Sequence, residues 1–201
     1  RSYLYQYDCK AICTSGEATF TINKMRGIKM EEKIELKKLN INLGRDEYNM
    51  LQNIKNNENG FSNPAYMLSY DEYKEWLKEE DKHSRGENLP DGWIPSTTYF
   101  LYVNNIPVGY GRIRHSSSEL LEKVLGVGNL GYGISSQYRG KGYGKILFGE
   151  LLKKCKEFGY KKIKLFPMKN NIATVKIMQS YGGNIIGEFK SEKYIIEIPI
   201  N

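Results

Sequence analysis

The chain has 201 residues, 40% of them hydrophobic and 26% charged, which is the composition of a folded globular protein with room for one domain. No apolar run approaches the roughly 20 residues that a membrane helix needs, so we expect no membrane partner. The three cysteines, Cys9, Cys13 and Cys155, do not form the pattern of a disulfide framework or a metal site, which favours a cytoplasmic protein with free thiols and no metal.

The net charge of +7 is concentrated in one segment. From Arg139 to Lys176 there are eleven Lys or Arg residues against two Glu, a balance of +9, so the rest of the chain sums to −2. A local excess of positive charge indicates a local anionic partner, for which nucleic acid and a multiply phosphorylated cofactor are both candidates. A lysine-rich solvated surface is an equally good interpretation of the charge alone.

The first third of the chain divides into a segment without clear periodicity and a segment with it. Residues 1–29 show little pattern, whereas Met30 opens a clearer one. We therefore treat 1–29 as an N-terminal extension of uncertain origin and 30–201 as a single domain. A strand is predicted over 33–39 and a helix over 46–56. Ser69 and Glu72 then form a capping box for a second helix, which is followed by a predicted loop over 82–95.

The remaining elements alternate between strands and helices. Two β-rich stretches flank the turn Asn104–Asn105 and predict a hairpin. On the helix predicted over 143–158, we expect a buried stripe of Leu147, Leu151, Cys155 and Phe158. The full series is a hairpin at 97–103 and 106–114, a short helix at 118–125, a strand at 129–135, a helix at 143–158, a strand at 162–166, a helix at 171–181 and strands at 185–189 and 194–198. This order predicts an α/β domain of the α+β type, with a mostly antiparallel central sheet and flanking helices.

The most informative stretch runs from Gly131 to Lys145, where a predicted strand enters a glycine-rich turn and the turn enters a helix. Gly140, Gly142 and Gly144 let backbone N–H groups converge where a Cβ would intrude. Those N–H groups lie at a helix N-terminus, where unpaired donors and the helix dipole favour an anion. Arg139, Lys141 and Lys145 add positive charge, so the stretch is predicted to hold a phosphate group.

The spacing of the glycines distinguishes between phosphate-binding motifs. Lys145 is followed by Ile146 rather than Ser or Thr, which excludes a Walker A loop, and the G-x-G-x-G spacing is not the G-x-G-x-x-G of a dinucleotide-binding fold. Two overlapping patterns, Gln137-x-x-Gly140-x-Gly142 and Arg139-x-x-Gly142-x-Gly144, resemble the acetyl-CoA pyrophosphate loop of the GCN5-related N-acetyltransferase (GNAT) superfamily. The strand over 162–166 and the helix entry at Asn171 resemble that superfamily's second cofactor segment.

The resemblance covers 97–189 well and 30–96 loosely. Within the superfamily the chain is similar to a group of bacterial acetyltransferases without assigned substrates, through 89–100, Arg112 to His115 and Gly131 to Ile134. It implies that the strands at 129–135 and 162–166 splay apart and hold acetyl-CoA, the co-substrate, between them. The cofactor-binding residues it implies are Ile134, Gln137, Arg139, Gly140, Lys141, Gly142, Tyr143, Gly144, Lys145 and Asn171. In such a protein an amine attacks the thioester directly and the thiolate leaves.

The chain departs from the family pattern in its acid–base groups. Counting from Asn171, the tyrosine that usually donates a proton falls on Met178, which cannot. Tyr181 lies one turn further on and is the candidate acid, although packing the end of the helix is the alternative role for it. His115, at a strand end, is the candidate base, although a lone histidine is more often structural. A third possibility is that the site only positions an amine that loses its proton through water.

The acceptor is not identified by the sequence. A small-molecule amine and a protein amine both remain open, as does a homodimer. Two other functions compete with N-acetyl transfer: a non-catalytic acyl-CoA sensor, which Met178 favours, and a basic nucleic-acid-binding protein that uses Tyr138, Tyr143 and Tyr160. Nucleic acid is the weaker partner, because no recognised nucleic-acid-binding module is present.

Overall fold

The computed structural model describes residues 32–200. The predicted extension at 1–29, with Cys9 and Cys13, lies outside the described residues. Within them, no helix is long and apolar enough to cross a bilayer. The same part of the chain contains no group of three or more His, Cys, Asp or Glu side chains that could hold a metal ion.

The first sheet has four antiparallel strands in the order β1-β2-β3-β4. They are β1 (Ile34–Lys38), β2 (Ser96–Val103), β3 (Ile106–Arg114) and β4 (Leu130–Ile134). The predicted hairpin is confirmed: β2 and β3 pair around Asn104 and Asn105, which have φ values of 51° and 65°. Asparagine tolerates this left-handed conformation better than most residues, and a two-residue turn of this kind matches the twist of the flanking strands.

One face of this sheet is covered by α1 (Arg45–Gln52) and α2 (Tyr70–Ser84). The predicted capping box begins α2, where Ser69 accepts from the Glu72 N–H and the Glu72 carboxylate accepts from the Ser69 N–H at 2.7 Å. The first helix ends four residues earlier than predicted. It stops there because the buried Asn63 amide donates to the carbonyls of Leu51 and Ile54 and holds the chain in a turn.

The opposite face is covered by α3 (Tyr143–Glu157), which buries Tyr143, Leu147, Phe148, Leu151 and Cys155. Burial raises the pKa of the Cys155 thiol to about 12. The prediction that Phe158 belongs to the buried stripe is wrong. Phe158 follows the last turn of α3, is 41% exposed and stacks on the His115 ring at 4.8 Å.

The second sheet has the order β5-β7-β6 and is also antiparallel. Its strands are β5 (Lys162–Leu165), β6 (Asn184–Phe189) and β7 (Lys193–Pro199), and α4 (Ile172–Ser180) connects β5 to β6. A short π-helix, Leu120–Leu125, occupies the place of the helix predicted at 118–125 and precedes β4. The mixed fold, with antiparallel strands and flanking helices, is as predicted.

The two sheets meet where β4 and β5 lie side by side. Asn129 joins them, because its N–H donates to the Lys164 carbonyl at 2.9 Å and its side chain accepts from the Lys164 N–H at 2.8 Å. Beyond Asn129 the described strands no longer pair with each other. The splayed strand pair that the sequence predicted therefore opens a cleft along one edge of β4.

Candidate active site

A cavity of about 610 Å³ occupies the space that β4 and β5 leave between them. We name its two ends the loop end and the arginine end, after the residues that line them. The loop end is lined by the turn before α3, namely Arg139, Gly140, Gly142, Gly144 and Lys145, together with Asn171 and Lys176. The arginine end is lined by Phe61, Arg112, Arg114, Gly126, Gly128 and Lys193.

Backbone conformation makes the loop end suitable for an anion. Gly140 and Gly142 have φ values of 74° and 87°, which favour glycine over residues with a side chain. A Cβ at either position would meet nothing within 4 Å, so the space above the turn is open. The N–H groups of Gly142, Tyr143 and Gly144 begin α3 and have no acceptor among the described residues. The helix dipole adds to these donors, so the turn favours a phosphate.

Arg139 contributes less charge to the loop end than the sequence suggested. Its guanidinium donates two hydrogen bonds to the Glu58 carboxylate, at 2.6 and 2.7 Å, and a third to the Ile134 carbonyl at 2.9 Å. The Arg139 side chain hydrogen bond holds the pKa of Glu58 below its usual range. Arg139 therefore fastens the turn to a neighbouring loop, and its charge is balanced.

The basic segment is also largely balanced. Six of its eleven cations form ion pairs: Arg139 with Glu58, Lys153 with Glu150, Lys154 with Glu157, Lys162 with Glu197, Lys164 with Glu122 and Lys169 with Glu188. Of the five without an acidic partner in the described chain, Lys145 and Lys176 line the cleft. Two of the five unpaired positive charges therefore lie at the loop end of the cavity, and the other three lie outside its lining.

Three predicted cofactor residues have side chains outside the cleft lining. Gln137 is exposed, and the Lys141 ammonium lies 5.2 Å above the Tyr138 ring. The Tyr143 ring is buried and its hydroxyl donates to Glu32 at 2.7 Å, so Tyr143 offers the cleft only its N–H. Asn171 does line the cleft, where its side-chain oxygen caps α4 by accepting from the Thr174 N–H.

The open edge of β4 presents backbone donors to the cavity. In an antiparallel pair, consecutive residues point their N–H groups to opposite sides. The Ser135 N–H donates to Val108 of β3, and the Ile134 carbonyl points the other way, toward Arg139. By the same alternation and the β3–β4 register, the N–H groups of Ile134 and Tyr132 face the cleft. Ile134 therefore lies beside the cleft, and its role in cofactor binding stays a prediction.

Neither predicted catalytic residue lines the cleft. His115 accepts or donates a hydrogen bond at 2.8 Å with Thr97, stacks on Phe158, and borders a separate depression with Tyr160. Burial and, to a smaller extent, the charge of Lys38 lower the pKa of His115. The Tyr181 hydroxyl donates to the Lys145 carbonyl at 3.1 Å, which is the packing role that the sequence left open for it.

Two other tyrosines, Tyr132 and Tyr138, line the cleft. Tyr132 lies on β4, and its hydroxyl is 3.5 Å from the Thr174 hydroxyl. Thr174 lies on α4, one helical turn before Met178. Burial raises the pKa of Tyr132 to about 12. Met178 also lines the cleft and is 5% exposed. The signal for Tyr132 was available in the sequence, because alternation along 129–135 gives Tyr132 and Ile134 the same face.

The arginine end combines an open floor with cationic walls. Gly131 and Gly133 carry no side chains, and the Phe61 ring lies against both of them. The Arg112 guanidinium donates to both Glu80 oxygens at 2.8 Å, and both side chains are almost fully buried. Arg114 and Lys193 complete this end and have no acidic partner among the described residues. Sequence reasoning missed this end, because its residues come from four separate segments.

A family model and solved structures were compared with the chain, and the family model identifies its family. A model of the acetyltransferase (GNAT) family matches residues 62–182. The solved structures that resemble the chain include the N-acetyltransferase PseH of Campylobacter jejuni in complex with acetyl coenzyme A, with a TM-score of 0.54, 16% identity, 84% of this chain covered and 100% of that chain. A GNAT-family acetyltransferase of Streptococcus pneumoniae has the same TM-score, identity and coverage. At these identities the likeness shows the fold. A search of curated proteins found no match.

Proposed function

Because this chain belongs to the GNAT acetyltransferase family, we propose that it transfers the acetyl group of acetyl-CoA to an amine by direct attack. The loop end is the observation that carries the proposal: backbone donors without acceptors surround open space at a helix N-terminus. PseH, a structural neighbour with the same fold, contains acetyl coenzyme A.

The residues of the cleft fit acetyl-CoA along its length. The N–H groups that begin α3 would hold the pyrophosphate, with Lys145 and Lys176 supplying charge nearby. The side-chain amide of Asn171 and the open edge of β4 would hold the pantetheine arm as an added strand holds its neighbour. The Ile134 and Tyr132 N–H groups would then donate hydrogen bonds to the thioester oxygen.

The same donors explain how the cleft promotes the reaction. The amine nitrogen forms a bond to the thioester carbon while the carbon–sulfur bond breaks, and negative charge develops on the carbonyl oxygen and then on sulfur. Fixed backbone N–H groups stabilise the oxygen in that state more than in the ground state, an effect of about 10²–10³-fold per donor in related sites.

The departing thiolate takes one proton, and the amine loses one. The Tyr132 hydroxyl lies beside Thr174, on the helix that carries Met178, so we assign the donor role to Tyr132 rather than to Tyr181. A phenol with a pKa of about 12 stays protonated at neutral pH. Among the described lining residues, the one carboxylate is Glu58, which Arg139 holds, and there is no histidine. The amine would therefore lose its proton through water, which is the third possibility that the sequence analysis left open.

A thiol-release assay with a panel of small amines and amine-bearing peptides tests the proposal. Turnover with any member supports an enzyme. Binding of acetyl-CoA without turnover across the panel supports the acyl-CoA sensor, for which Met178 in place of the usual tyrosine is the favouring observation. Salt-sensitive oligonucleotide binding without either would contradict both. The homodimer stays a prediction.

A further inference from the structure

The arginine end carries more positive charge than the fold uses. Arg112 is neutralised by Glu80, which accepts from it through both oxygens. The Arg114 side chain makes a single hydrogen bond among the described residues, from Nη1 to the Gly128 carbonyl at 2.9 Å. A guanidinium has five N–H donors, so most of its hydrogen-bonding capacity is unused.

Burial makes the unused capacity of Arg114 costly. Burial is the main cause that lowers the pKa of Arg114, to about 10; the charge of Arg112 lowers it further, and the charge of Glu80 acts in the opposite direction. No carboxylate of the described chain lies within ion-pair distance of Arg114. A partly buried charge without a counter-ion in contact costs folding free energy, and an apolar side chain of similar length is usually a better structural choice. One bond to a carbonyl does not account for an arginine here.

Lys193 faces the same space from the second sheet. Its ammonium donates to the Gly126 carbonyl at 2.9 Å, and burial lowers its pKa. No acidic side chain of the described chain pairs with it. Two cations on opposite walls, both lining the cleft and both lacking an acidic partner, form a site for an anion.

We propose that the arginine end binds an oxyanion, a carboxylate or a phosphate, which belongs to the amine acceptor, with Arg114 as its principal partner. This inference rests on the proposed acetyl transfer. A guanidinium matches the two oxygens of either group with paired hydrogen bonds.

The register sets the size of the acceptor. The Arg114 N–H donates to the Asn129 carbonyl, and Tyr132 lies three residues further along β4, a distance of about 10 Å. The Arg114 guanidinium bonds the Gly128 carbonyl, so it lies beside the residues that precede β4. An acceptor that reaches both the thioester and Arg114 therefore carries its oxyanion within about 10 Å of its nitrogen, which suits a small amine.

Matched acceptor pairs test the inference. Amino acids are compared with their carboxamides, and phosphoethanolamine is compared with ethanolamine. In each pair only one member carries an anionic group. The first pair tests a carboxylate and the second tests a phosphate. We expect kcat/KM to be at least tenfold higher for the charged member of one pair.

Variants at Arg114 test which residue causes this preference. Arg114→Met should lower the preference for the charged acceptor at least tenfold, mainly by raising KM, with little effect on kcat/KM for the neutral acceptor. Arg114→Lys should keep part of the preference. Arg85→Met removes an exposed guanidinium that pairs with Asp81 and Glu87, and it should change nothing.

A thermal-shift titration separates failure of the inference from failure of the proposed function. The probes are N-acetylated amino acids, which resemble the product, N-acetylphosphoethanolamine, and the neutral counterparts of both. If no amine turns over but a charged probe raises the Tm of the parent and not of Arg114→Met, the oxyanion site stands and acetyl transfer fails. Equal kcat/KM for charged and neutral acceptors would overturn the inference. So would an Arg114→Met variant that keeps the parent's preference for the charged acceptor. If no amine is turned over and no charged probe raises the Tm, the inference is also overturned.

Discussion

The loop end and the arginine end of the cleft recognise charge by different physical means. The loop end uses backbone N–H groups at the start of α3, so its donors are neutral and need no ion pair when the cleft is empty. The arginine end uses partly buried guanidinium and ammonium groups, whose charge favours a counter-ion. Arg112 has one in Glu80, whereas Arg114 has none among the described residues. An anion site formed by backbone N–H groups therefore depends on the conformation of its glycines. An anion site formed by cationic side chains depends on whether acidic side chains already neutralise them.

Glu80→Ala should have the largest effect, and it acts on stability. Removing Glu80 leaves Arg112 buried without its carboxylate and removes the acceptor of the Thr98 hydroxyl. Breaking a buried pair from one side costs about 3–5 kcal/mol in the free energy of unfolding. Denaturant titration measures this, with Glu75→Ala as the exposed control on the same helix, where the loss should stay within about 0.5 kcal/mol. Equal losses in the two variants would show that Arg112 needs no partner.

Tyr132→Phe should have the next largest effect and acts on chemistry. Losing a general acid typically lowers kcat by about 10²-fold, or 2.7 kcal/mol, and acetyl-CoA affinity should hold. Because the pKa of Tyr132 is raised to about 12, the parent should show no fall in rate from this group between pH 6 and 10. Tyr181→Phe is the matched control, and its hydroxyl bonds a backbone carbonyl. A larger fall in kcat for Tyr181→Phe than for Tyr132→Phe would show that Tyr181 is the proton donor, as the sequence analysis predicted.

Gly142→Asp tests the loop end and should lower coenzyme A affinity at least tenfold, about 1.4 kcal/mol. The substitution places a carboxylate in the open space where the pyrophosphate would lie. Gly159→Asp is a close control, because Gly159 also has a left-handed φ, 81°, with no atom within 4 Å of a Cβ, and it lies outside the cleft. Calorimetry that finds equal affinities for the two variants would remove the loop end from the binding site.

His115→Gln should have the smallest effect. The ring lies outside the cleft lining, so we expect rates within threefold of the parent from pH 6 to 9. In both proteins kcat/KM should rise with pH, since the free amine is the nucleophile and no lining base is available. A variant that is slow at neutral pH and recovers at high pH would show that His115 acts as a base after all.

The two ends also differ in how far the sequence predicts them. The strands, the capping box at Ser69, the splayed strand pair and the family follow from local patterns, and all four are confirmed. The glycines of the loop end, Gly140, Gly142 and Gly144, lie within one five-residue stretch, so a short sequence pattern indicates the geometry of the turn. The Arg139–Glu58 pair joins residues 81 positions apart, and no local pattern indicates it.

Side chains at the ends of elements were harder to predict than those inside them. Phe158 continues the apolar spacing of α3 but lies just past its last turn, so the periodicity no longer determines its direction. Arg112 and Arg114 share a face of β3, yet only the tertiary fold decides that Glu80 neutralises the first of them. The charge that remains on Arg114 is visible only once all its neighbours are known.

A structure of the protein with acetyl-CoA bound is the sharpest test of the proposed cleft. We expect the pyrophosphate within hydrogen-bond distance of the N–H groups of Gly142 and Gly144, and the thioester oxygen on the N–H of Ile134 or Tyr132. We also expect the acetyl group to face the arginine end. Acetyl-CoA bound away from the turn before α3, or with its acetyl group pointing away from Arg114, would show that the cleft does not work as proposed.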